Sequence, residues 1–232
     1  MKGKLIVIDG VDGAGKATQT KLLVDRLKKE GRKVETFEFP AYETNFFGSF
    51  IGECLRGDHG DFVRVDPYIG SVLYAADRFE SKKKIEDALK AGKVVVLDRY
   101  VSANQMHQGG KIKDAKKKKA FLKWLDTMEH RVFGIPRPDM IIYLNLPVKL
   151  SLQLLRNKSL KDKKAYIKGK WDVVESDIKY LENSRKSALA IIQELGTWKK
   201  VECNTGDAIL PREVIHERVW NIARKVLSRR PN

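Results

Sequence analysis

The stretch Ile6-Val7-Ile8-Asp9-Gly10-Val11-Asp12-Gly13-Ala14-Gly15-Lys16-Ala17-Thr18-Gln19 decides the fold of this chain. An apolar run ends in a glycine-rich turn, and a pattern typical of an amphipathic helix follows at once. Gly10, Gly15 and Lys16 have the spacing of a phosphate-binding loop. The glycines let the backbone turn its N–H groups inward, and these donors, with the positive end of the next helix, form a site for a polyphosphate.

The loop predicts a set of ATP-binding residues. Lys16 would reach the β- and γ-phosphates. The set is Gly10, Asp12, Gly13, Ala14, Gly15, Lys16, Ala17 and Thr18. One position departs from the motif, because Ala17 stands where Ser or Thr normally holds Mg²⁺. Thr18 is no automatic substitute, since one residue along a helix turns the side chain by about 100°. The alternative is a glycine-rich turn that serves only tight packing of strand and helix.

Strand and helix patterns alternate along the whole chain. Strands are predicted at residues 5–8, 33–39, 94–98, 140–144 and 198–201, and helices at 16–29, 44–55, 67–89, 100–110, 115–133, 147–155, 172–195 and 211–226. Such alternation predicts an α/β fold, a doubly wound five-stranded parallel sheet with helices on both faces. Ligands then bind at the carboxyl ends of the strands.

The composition fits a globular protein with a well-buried core, because 42% of its 232 residues are hydrophobic and 33% are charged. No apolar run is long enough to cross a bilayer, and the first residues do not resemble a signal peptide. Cys54 and Cys203 are expected to be buried, reduced thiols. These features predict a cytoplasmic protein. The net charge of +16 suits phosphate-bearing ligands and also admits nucleic acid as a partner, although the lysine runs are better explained as solvated helix faces.

Two charged residues follow the third predicted strand. Asp98 ends the apolar run, and in phosphate-loop enzymes a carboxylate at this place holds Mg²⁺ directly or through water. The alternative role is a helix N-cap or a loop carboxylate. Arg99 carries a planar fork that can grip a phosphate through two hydrogen bonds. A second anion site beside the first is what a kinase of a phosphorylated acceptor needs.

With Asp98-Arg99-Tyr100 the chain resembles the thymidylate kinase family, which phosphorylates dTMP to dTDP with ATP. The matching segments occur in the family's order over nearly the whole chain: residues 10–19, 39–40, 73–78, 98–104, 108–110, 138–139 and 172–177. The resemblance implies a P-loop NTPase fold with a lid and a single kinase domain over residues 1–232. It also implies Mg²⁺ with ATP as the cofactor, and commonly a homodimer. The apolar helical segment at 121–133 is a candidate for the dimer contact, with a place in the core as the alternative.

The resemblance implies roles for single residues. Asp12 matches a carboxylate near the acceptor sugar and the metal, and Phe39 matches an aromatic residue that stacks on the pyrimidine. Arg78 matches an arginine that bonds an exocyclic oxygen of the base, and Arg99 one that holds the acceptor phosphate. The remaining acceptor-site residues are Tyr100, Asn104 and Gln108. The predicted catalytic residues are Asp12, Lys16, Asp98 and Arg99, with Asp98 and Asp12 as metal ligands. Phe39 as a core residue and Arg78 as a surface charge remain the alternatives.

A mobile basic lid is implied at residues 156–171. Family members with glycine in place of an arginine in the phosphate loop use a basic lid residue instead, and Gly13 puts this chain in that group. Cations near the transferred phosphoryl group stabilise its developing charge. The candidates are Arg156, Lys158, Lys161, Lys163, Lys164, Lys168 and Lys170. The residue that acts is left open, as is the preference for dTMP over dUMP.

Two further departures and two alternative functions remain. Ala41 stands where the family often has arginine after Phe39-Pro40, and His107 where some relatives have tyrosine near the sugar 2′ position. One alternative function is a basic nucleic-acid-binding protein with a regulatory or inactive phosphate loop. The other is a kinase of another monophosphate or of a deoxynucleoside, and Arg99 favours an acceptor that already bears a phosphate.

Overall fold

The structure, a computed structural model, describes residues 3–157 and 177–228. A five-stranded sheet lies at its centre, in the order β2-β3-β1-β4-β5, with every neighbouring pair parallel. The strands are β1 (Lys4–Gly10), β2 (Val34–Glu38), β3 (Val94–Asp98), β4 (Met140–Asn145) and β5 (Trp198–Glu202). The predicted parallel α/β sheet is confirmed, and all five strands lie where their patterns predict them.

Helices connect the strands. They are α1 (Lys16–Lys29), α2 (Phe46–Arg56), α3 (Pro67–Glu80), α4 (Lys82–Lys90), α5 (Val101–Gly110), α6 (Ala115–Thr127), α7 (Val148–Asn157), α8 (Ile178–Glu194) and α9 (Arg212–Leu227). A short hairpin of β6 (Asn204–Thr205) and β7 (Ala208–Ile209) follows β5 and has no counterpart in the sequence prediction.

Two apolar cores form because alternate residues of each strand point to opposite faces of the sheet. Leu5 and Val7 of β1 pack in one core with side chains of α3 to α6 and α8. Ile6 and Ile8 pack in the other core with side chains of α1, α7 and α9. A strand that is buried on both faces has to be apolar throughout, as the burial of β1, β3 and β4 shows.

The helix predicted over residues 67–89 is in fact two helices. Helix α3 ends at Glu80, Ser81 lies between them, and α4 begins at Lys82. The Asn45 side chain donates a hydrogen bond of 3.0 Å to Ser81 Oγ, so the break is fixed by a contact with a distant part of the chain. The apolar spacing carries across the break, and the pattern alone therefore predicts one helix.

The helix predicted over residues 115–133 also changes character before its end. Helix α6 gives way to a π-helical turn at Met128–Val132. Because a π turn adds a residue to each hydrogen-bonded loop, it shifts the following side chains out of register. Val132, predicted on the apolar side of this helix, is therefore 71% exposed, whereas Phe121 and Leu125 lie in the core as expected.

Other predictions from composition are met within the described residues. Cys54 and Cys203 are buried and free. Over residues 3–157 and 177–228, no helix combines the length and apolar character that crossing a membrane requires. The predicted cytoplasmic location stays a prediction, as does the single domain over residues 1–232.

Candidate active site

The glycine-rich loop joins β1 to α1 at the carboxyl edge of the sheet. Gly13 and Gly15 have φ of 80° and 89°, in the left-handed region that side chains disfavour. Helix α1 begins at Lys16, directly after Gly15. The first N–H groups of a helix have no partner within the helix, and with the helix dipole they make this end of α1 a site for anions. The loop has the backbone that its sequence predicts.

Lys16 is buried at the start of α1, and its side chain folds back over the loop. Its Nζ donates to the Val11 carbonyl at 3.1 Å and lies 3.5 Å from Asp12 Oδ1. Burial lowers the pKa of Lys16, and the nearby Arg99 lowers it further, while Asp12, Asp98 and Asp9 oppose the shift. A phosphate bound in the loop would place negative charge beside this ammonium group and would raise the pKa of Lys16 again.

Arg99 follows β3 with φ of 66°, an uncommon backbone conformation for a residue with a side chain. Its Nη2 donates a short hydrogen bond to Asp12 Oδ1. Asp9, at 0% exposure, lies 4.0 Å from Arg99 Nη1 and accepts hydrogen bonds from Ser102 Oγ at 2.5 Å and from the Gly10 N–H at 2.8 Å. Burial raises the pKa of Asp9, with Arg99 acting against the rise. Burial lowers the pKa of Arg99, but Asp12, Asp9 and Asp98 together outweigh it and raise this pKa, so the guanidinium stays charged.

Asp12 therefore joins the two predicted anion sites. The same carboxylate oxygen, Oδ1, accepts from Arg99 and lies beside Lys16 Nζ. Asp98 is buried at the end of β3, and its charge acts on both Lys16 and Arg99. Ala17 and Thr18 are exposed. All four predicted catalytic residues thus lie at one place.

Buried polar side chains from α3, α5 and the π turn form a second cluster. Arg78 forms a two-bonded ion pair with Glu129, from Nε to Oε2 at 2.7 Å and from Nη2 to Oε1 at 2.5 Å. Asn104 Nδ2 donates to the same Glu129 Oε1 and to the Ser71 carbonyl, both at 3.1 Å. Arg78 and Glu129 are almost wholly buried, so Arg78 is not the surface charge of the alternative interpretation.

Phe39 and Tyr100 belong to the same region. Their rings lie 5.9 Å apart, and Tyr100 donates from its hydroxyl to the Pro136 carbonyl at 3.0 Å. Phe39 is 2% exposed and belongs to the core cluster; its predicted stacking on a base stays a prediction.

Gln108 is 3% exposed, and its Oε1 has no hydrogen-bond partner among the described residues. An unpaired buried acceptor costs folding free energy unless a ligand or water donates to it.

Comparison with known proteins decides the family. The sequence profile described as "Thymidylate kinase" matches residues 8–218. The chain belongs to the thymidylate kinase family. It is 32% identical over 158 residues to thymidylate kinase of Mycobacterium tuberculosis, covering 68% of this chain and 73% of the relative. It is 27% identical over 225 residues to the Schizosaccharomyces pombe enzyme, covering 97% and 93%.

A solved structure supports the fold. Thymidylate kinase from Candida albicans superposes with a TM-score of 0.73, at 21% identity, covering 97% of this chain and 92% of that one. Thymidylate kinases phosphorylate dTMP to dTDP with ATP, so the predictions of an enzyme, a kinase and this reaction are confirmed. The nucleic-acid partner stays untested.

Glu129 is a candidate functional residue of this thymidylate kinase family member, and it was not predicted from the sequence. Glu129 lies four residues after Leu125 and eight after Phe121, on the apolar side of the helix predicted at 115–133. A carboxylate on an apolar helix face needs a buried partner, and this placement is the signal that could have revealed it. The partner, Arg78, lies 51 positions away, so the pairing itself is not readable from the pattern.

The structure also explains the glycine at position 13. A Cβ there would lie 2.4 Å from the Ser151 carbonyl oxygen and 2.9 Å from Leu155 Cγ, both in α7. No side chain fits at this position, so the loop has no room for an arginine. Arg156 lies in the last turn of α7. The other lid candidates lie outside the described residues: Lys158, Lys161, Lys163, Lys164, Lys168 and Lys170.

Proposed function

We propose that phosphoryl transfer takes place between Lys16 and Arg99, with Asp12 fixing their separation. The observation that carries this proposal is the shared carboxylate oxygen: Asp12 Oδ1 accepts from Arg99 and lies 3.5 Å from Lys16 Nζ. A phosphate-loop lysine binds the β- and γ-phosphates. Arg99 then binds the acceptor phosphate beside them. Because Asp12 holds both Lys16 and Arg99, the phosphates that these two residues bind lie next to each other in a fixed orientation.

The chemistry asks little of the protein beyond position and charge. The attacking oxygen belongs to the acceptor phosphate, which is already an anion, so no general base is needed. Charge on the equatorial oxygens of the transferred group is neutralised by Lys16, by Arg99 and by the N–H groups of the loop. Asp12 accepts from Arg99 before substrate binds and keeps the guanidinium from repelling Lys16 in the empty site.

The base of the acceptor is read by buried polar groups. Gln108 Oε1 is an unpaired acceptor, and the N3–H of a thymine is a donor that would satisfy it. Arg78 is clamped by Glu129 through Nε and Nη2, so its orientation is set before the base arrives. Its Nη1 takes no part in this clamp, and it suits an exocyclic carbonyl oxygen. Asn104, tied to Glu129, completes this cluster.

Mg²⁺ enters as the partner of ATP. Among residues 3–157 and 177–228 no group of three or more acidic, His or Cys side chains could hold a metal alone. This fits Mg²⁺, which proteins usually bind through one or two carboxylates together with substrate phosphates. Asp98 and Asp12 are the carboxylates of this site that would hold the ion. When bound, the ion would neutralise phosphate charge. Ala17 adds no ligand.

A third positive charge, in addition to those of Lys16 and Arg99, comes from the basic segment at 156–171. Because Gly13 leaves no space for a side chain in the loop, a lid residue must supply the charge that other enzymes of this reaction place there. The segment at 156–171 carries the candidates. We also propose a homodimer, formed through α3 rather than through the apolar segment at 121–133, whose Phe121 and Leu125 lie in the core.

The test is ADP release from Mg·ATP by the purified protein with dTMP, dUMP, dCMP, dGMP or no acceptor. We expect turnover that requires dTMP, with dUMP as the next best acceptor because it presents the same N3–H. ATP hydrolysis at the same rate with and without any acceptor would contradict the proposal. Equal rates with purine and pyrimidine monophosphates would contradict the role of Gln108.

A further inference from the structure

His107 of α5 links Arg99 to a helix on the far side of the site. Its Nε2 lies 2.9 Å from Arg99 Nη1, and its Nδ1 lies 3.0 Å from Ser184 Oγ in α8. The imidazole stacks on Tyr180, with ring centroids 5.6 Å apart and planes 9° apart. Only 8% of the residue is exposed. Both ring nitrogens are thus used, and the ring plane is fixed.

The partners determine which nitrogen carries the proton. A guanidinium only donates hydrogen bonds, so Nε2 has to be the acceptor. The proton of a neutral ring is then on Nδ1, which donates to Ser184 Oγ. The Ser184 hydroxyl donates in turn to the Tyr180 carbonyl at 2.8 Å. Each donor in this chain finds an acceptor, and no second assignment satisfies all three contacts.

The ring stays neutral under ordinary conditions. Burial lowers the pKa of His107 to about 3, and Arg99, Lys16 and Lys111 lower it as well, against the effect of Asp12. His107 therefore neither donates nor removes a proton in the reaction. Its Nε2 lone pair is a hydrogen-bond acceptor without a net charge.

A neutral acceptor suits a neighbour of a phosphate-binding arginine. Asp12 holds one corner of the Arg99 guanidinium, at Nη2. Asp9 lies 4.0 Å from Nη1, beyond hydrogen-bond distance, and a further carboxylate bonded at Nη1 would add to the negative charge that repels the acceptor phosphate in a site of low dielectric constant. A histidine fixes that corner without repulsion. Asp12 and His107 each accept from one of the five N–H groups that a guanidinium carries.

We propose that His107 is a positioning residue that holds Arg99 in the orientation in which it binds the acceptor phosphate, and that Ser184 holds the ring by accepting from its Nδ1–H. The inference rests on the proposed function, in which Arg99 binds that phosphate. It assigns α8 a part in acceptor binding, because Ser184 and Tyr180 hold the imidazole from that helix. His107 does not touch the reacting atoms and is not a catalytic residue.

Three substitutions separate positioning from packing. His107→Gln keeps an acceptor oxygen within reach of Arg99. His107→Asn keeps a donor for Ser184 but is too short to reach Arg99. His107→Phe keeps the ring against Tyr180 and removes both polar atoms. We expect the KM for dTMP to rise about tenfold or more in the Asn and Phe variants, the range for a lost hydrogen bond to a charged group, and far less in the Gln variant. The KM for ATP should change less than about twofold.

The control is His59→Gln, the same change at an exposed histidine that pairs with Glu53 away from Arg99. It should leave both KM values unchanged. An unaltered KM for dTMP in His107→Phe, or an equal rise in the Gln and Phe variants, would overturn the proposal. A purely structural role predicts lower stability and parallel changes in both KM values instead.

A second measurement does not depend on activity. The ¹⁵N NMR shifts of the His107 ring should show the neutral Nδ1–H tautomer at pH 7, and Arg99→Met, which removes the donor to Nε2, should shift the population toward Nε2–H. An Nε2–H tautomer or a protonated ring in the unaltered protein would overturn the inference. If the protein has no dTMP-dependent turnover, the proposed function fails, and the NMR result still decides whether His107 anchors Arg99.

Discussion

Arg99 has the most consequential side chain of the site, because its fork geometry as well as its charge is used. Asp12 and His107 hold two corners of the guanidinium. Arg99→Lys keeps the charge and loses the fork. We expect the KM for dTMP to rise about 10- to 100-fold, while the KM for ATP changes less than about twofold. Steady-state kinetics with each substrate varied in turn provide the measurement.

The matched control for this change is Arg137→Lys. Arg137 also forms a two-bonded pair, with Asp126 at 2.6 Å and 2.8 Å, but it lies in an exposed position. Its substitution should leave both KM values unchanged. If Arg99→Lys raises the KM for dTMP and the KM for ATP equally, Arg99 does not bind the acceptor phosphate selectively.

Ala17 is the residue where the phosphate loop departs from its motif. The side chain is exposed at the first turn of α1, so a hydroxyl can be added without a clash. We expect Ala17→Ser to retain activity and to lower the Mg²⁺ concentration for half-maximal rate, by up to about tenfold, the lower end of effects from altered metal surroundings. Ala17→Cys is the control, since a thiol of similar size is a poor ligand for Mg²⁺. Complete loss of activity in Ala17→Ser would mean that the loop holds its ligands differently.

Single residues differ in how far their sequence context predicts them. Asp98 and Arg99 follow an apolar strand, and the fold class alone places them at the ligand-binding edge. Asp9, Ser102 and Glu129 are different, because their partners come from other elements and their roles depend on packing. Strand ends are therefore predictable from one sequence, whereas the hydrogen bonds that orient the side chains there are not.

At the scale of elements, α7 and the phosphate loop are in direct contact. Gly13 lies against the Ser151 carbonyl, whereas a Cβ at Gly15 would meet nothing within 4 Å. Both glycines have positive φ, which costs about 1–2 kcal/mol for a residue with a side chain. Only Gly13→Ala adds a collision with backbone. We expect Gly15→Ala to lower the free energy of unfolding by about 1–2 kcal/mol, and Gly13→Ala to lower it by about 1–3 kcal/mol more.

Urea unfolding of the two variants and of the unaltered protein gives these differences directly. Gly15→Ala is the matched control, since it has the same backbone strain without the contact. Equal losses in the two variants would show that α7 gives way to the added methyl group. In that case the steric reason for a glycine at position 13 would be gone.

Elements themselves were predicted well where one pattern dominates. The five strands and the helix after the loop carry unbroken apolar or amphipathic patterns, and the structure has them in place. The division at Ser81 and the π turn at Met128–Val132 were not predicted, because nothing local ends the pattern there. Ser81 is fixed by Asn45, and the π turn carries Glu129, the partner of Arg78. Tertiary contacts therefore decide these two irregularities.

At the scale of the whole molecule, much of the basic charge lies on solvated surface, as predicted. Lys116, Lys117 and Lys119 of α6 are exposed, and Lys83 pairs locally with Asp87 at 2.9 Å. Exposed pairs of this kind contribute little to stability. The site instead concentrates Lys16 and Arg99 among Asp9, Asp12 and Asp98. These lysines are thus surface groups that contribute to the net charge of +16.

An exposed apolar stripe on α3 points to the way two copies associate. Four side chains spaced along one side of the helix are exposed: Tyr68 by 36%, Ile69 by 60%, Val72 by 40% and Phe79 by 49%. Phe46, 76% exposed, lies at one end of the stripe, where its N–H bonds Glu80. Apolar stripes of this kind mark interfaces. In a two-fold dimer the same stripe serves both partners, so α3 would pack on its own copy.

Val72 lies in the middle of this stripe, and it provides the test. Val72→Glu places a carboxylate opposite its own symmetry copy in an apolar contact, so desolvation and like-charge repulsion both oppose the dimer. We expect sedimentation velocity to show a dimer for the unaltered protein and a monomer for Val72→Glu. Val214→Glu is the matched control: Val214 is 41% exposed and belongs to α9, on the other face of the sheet. It should remain a dimer. A dimer that survives Val72→Glu would place the interface elsewhere, and a monomeric unaltered protein would leave the α3 stripe without a second copy to cover it.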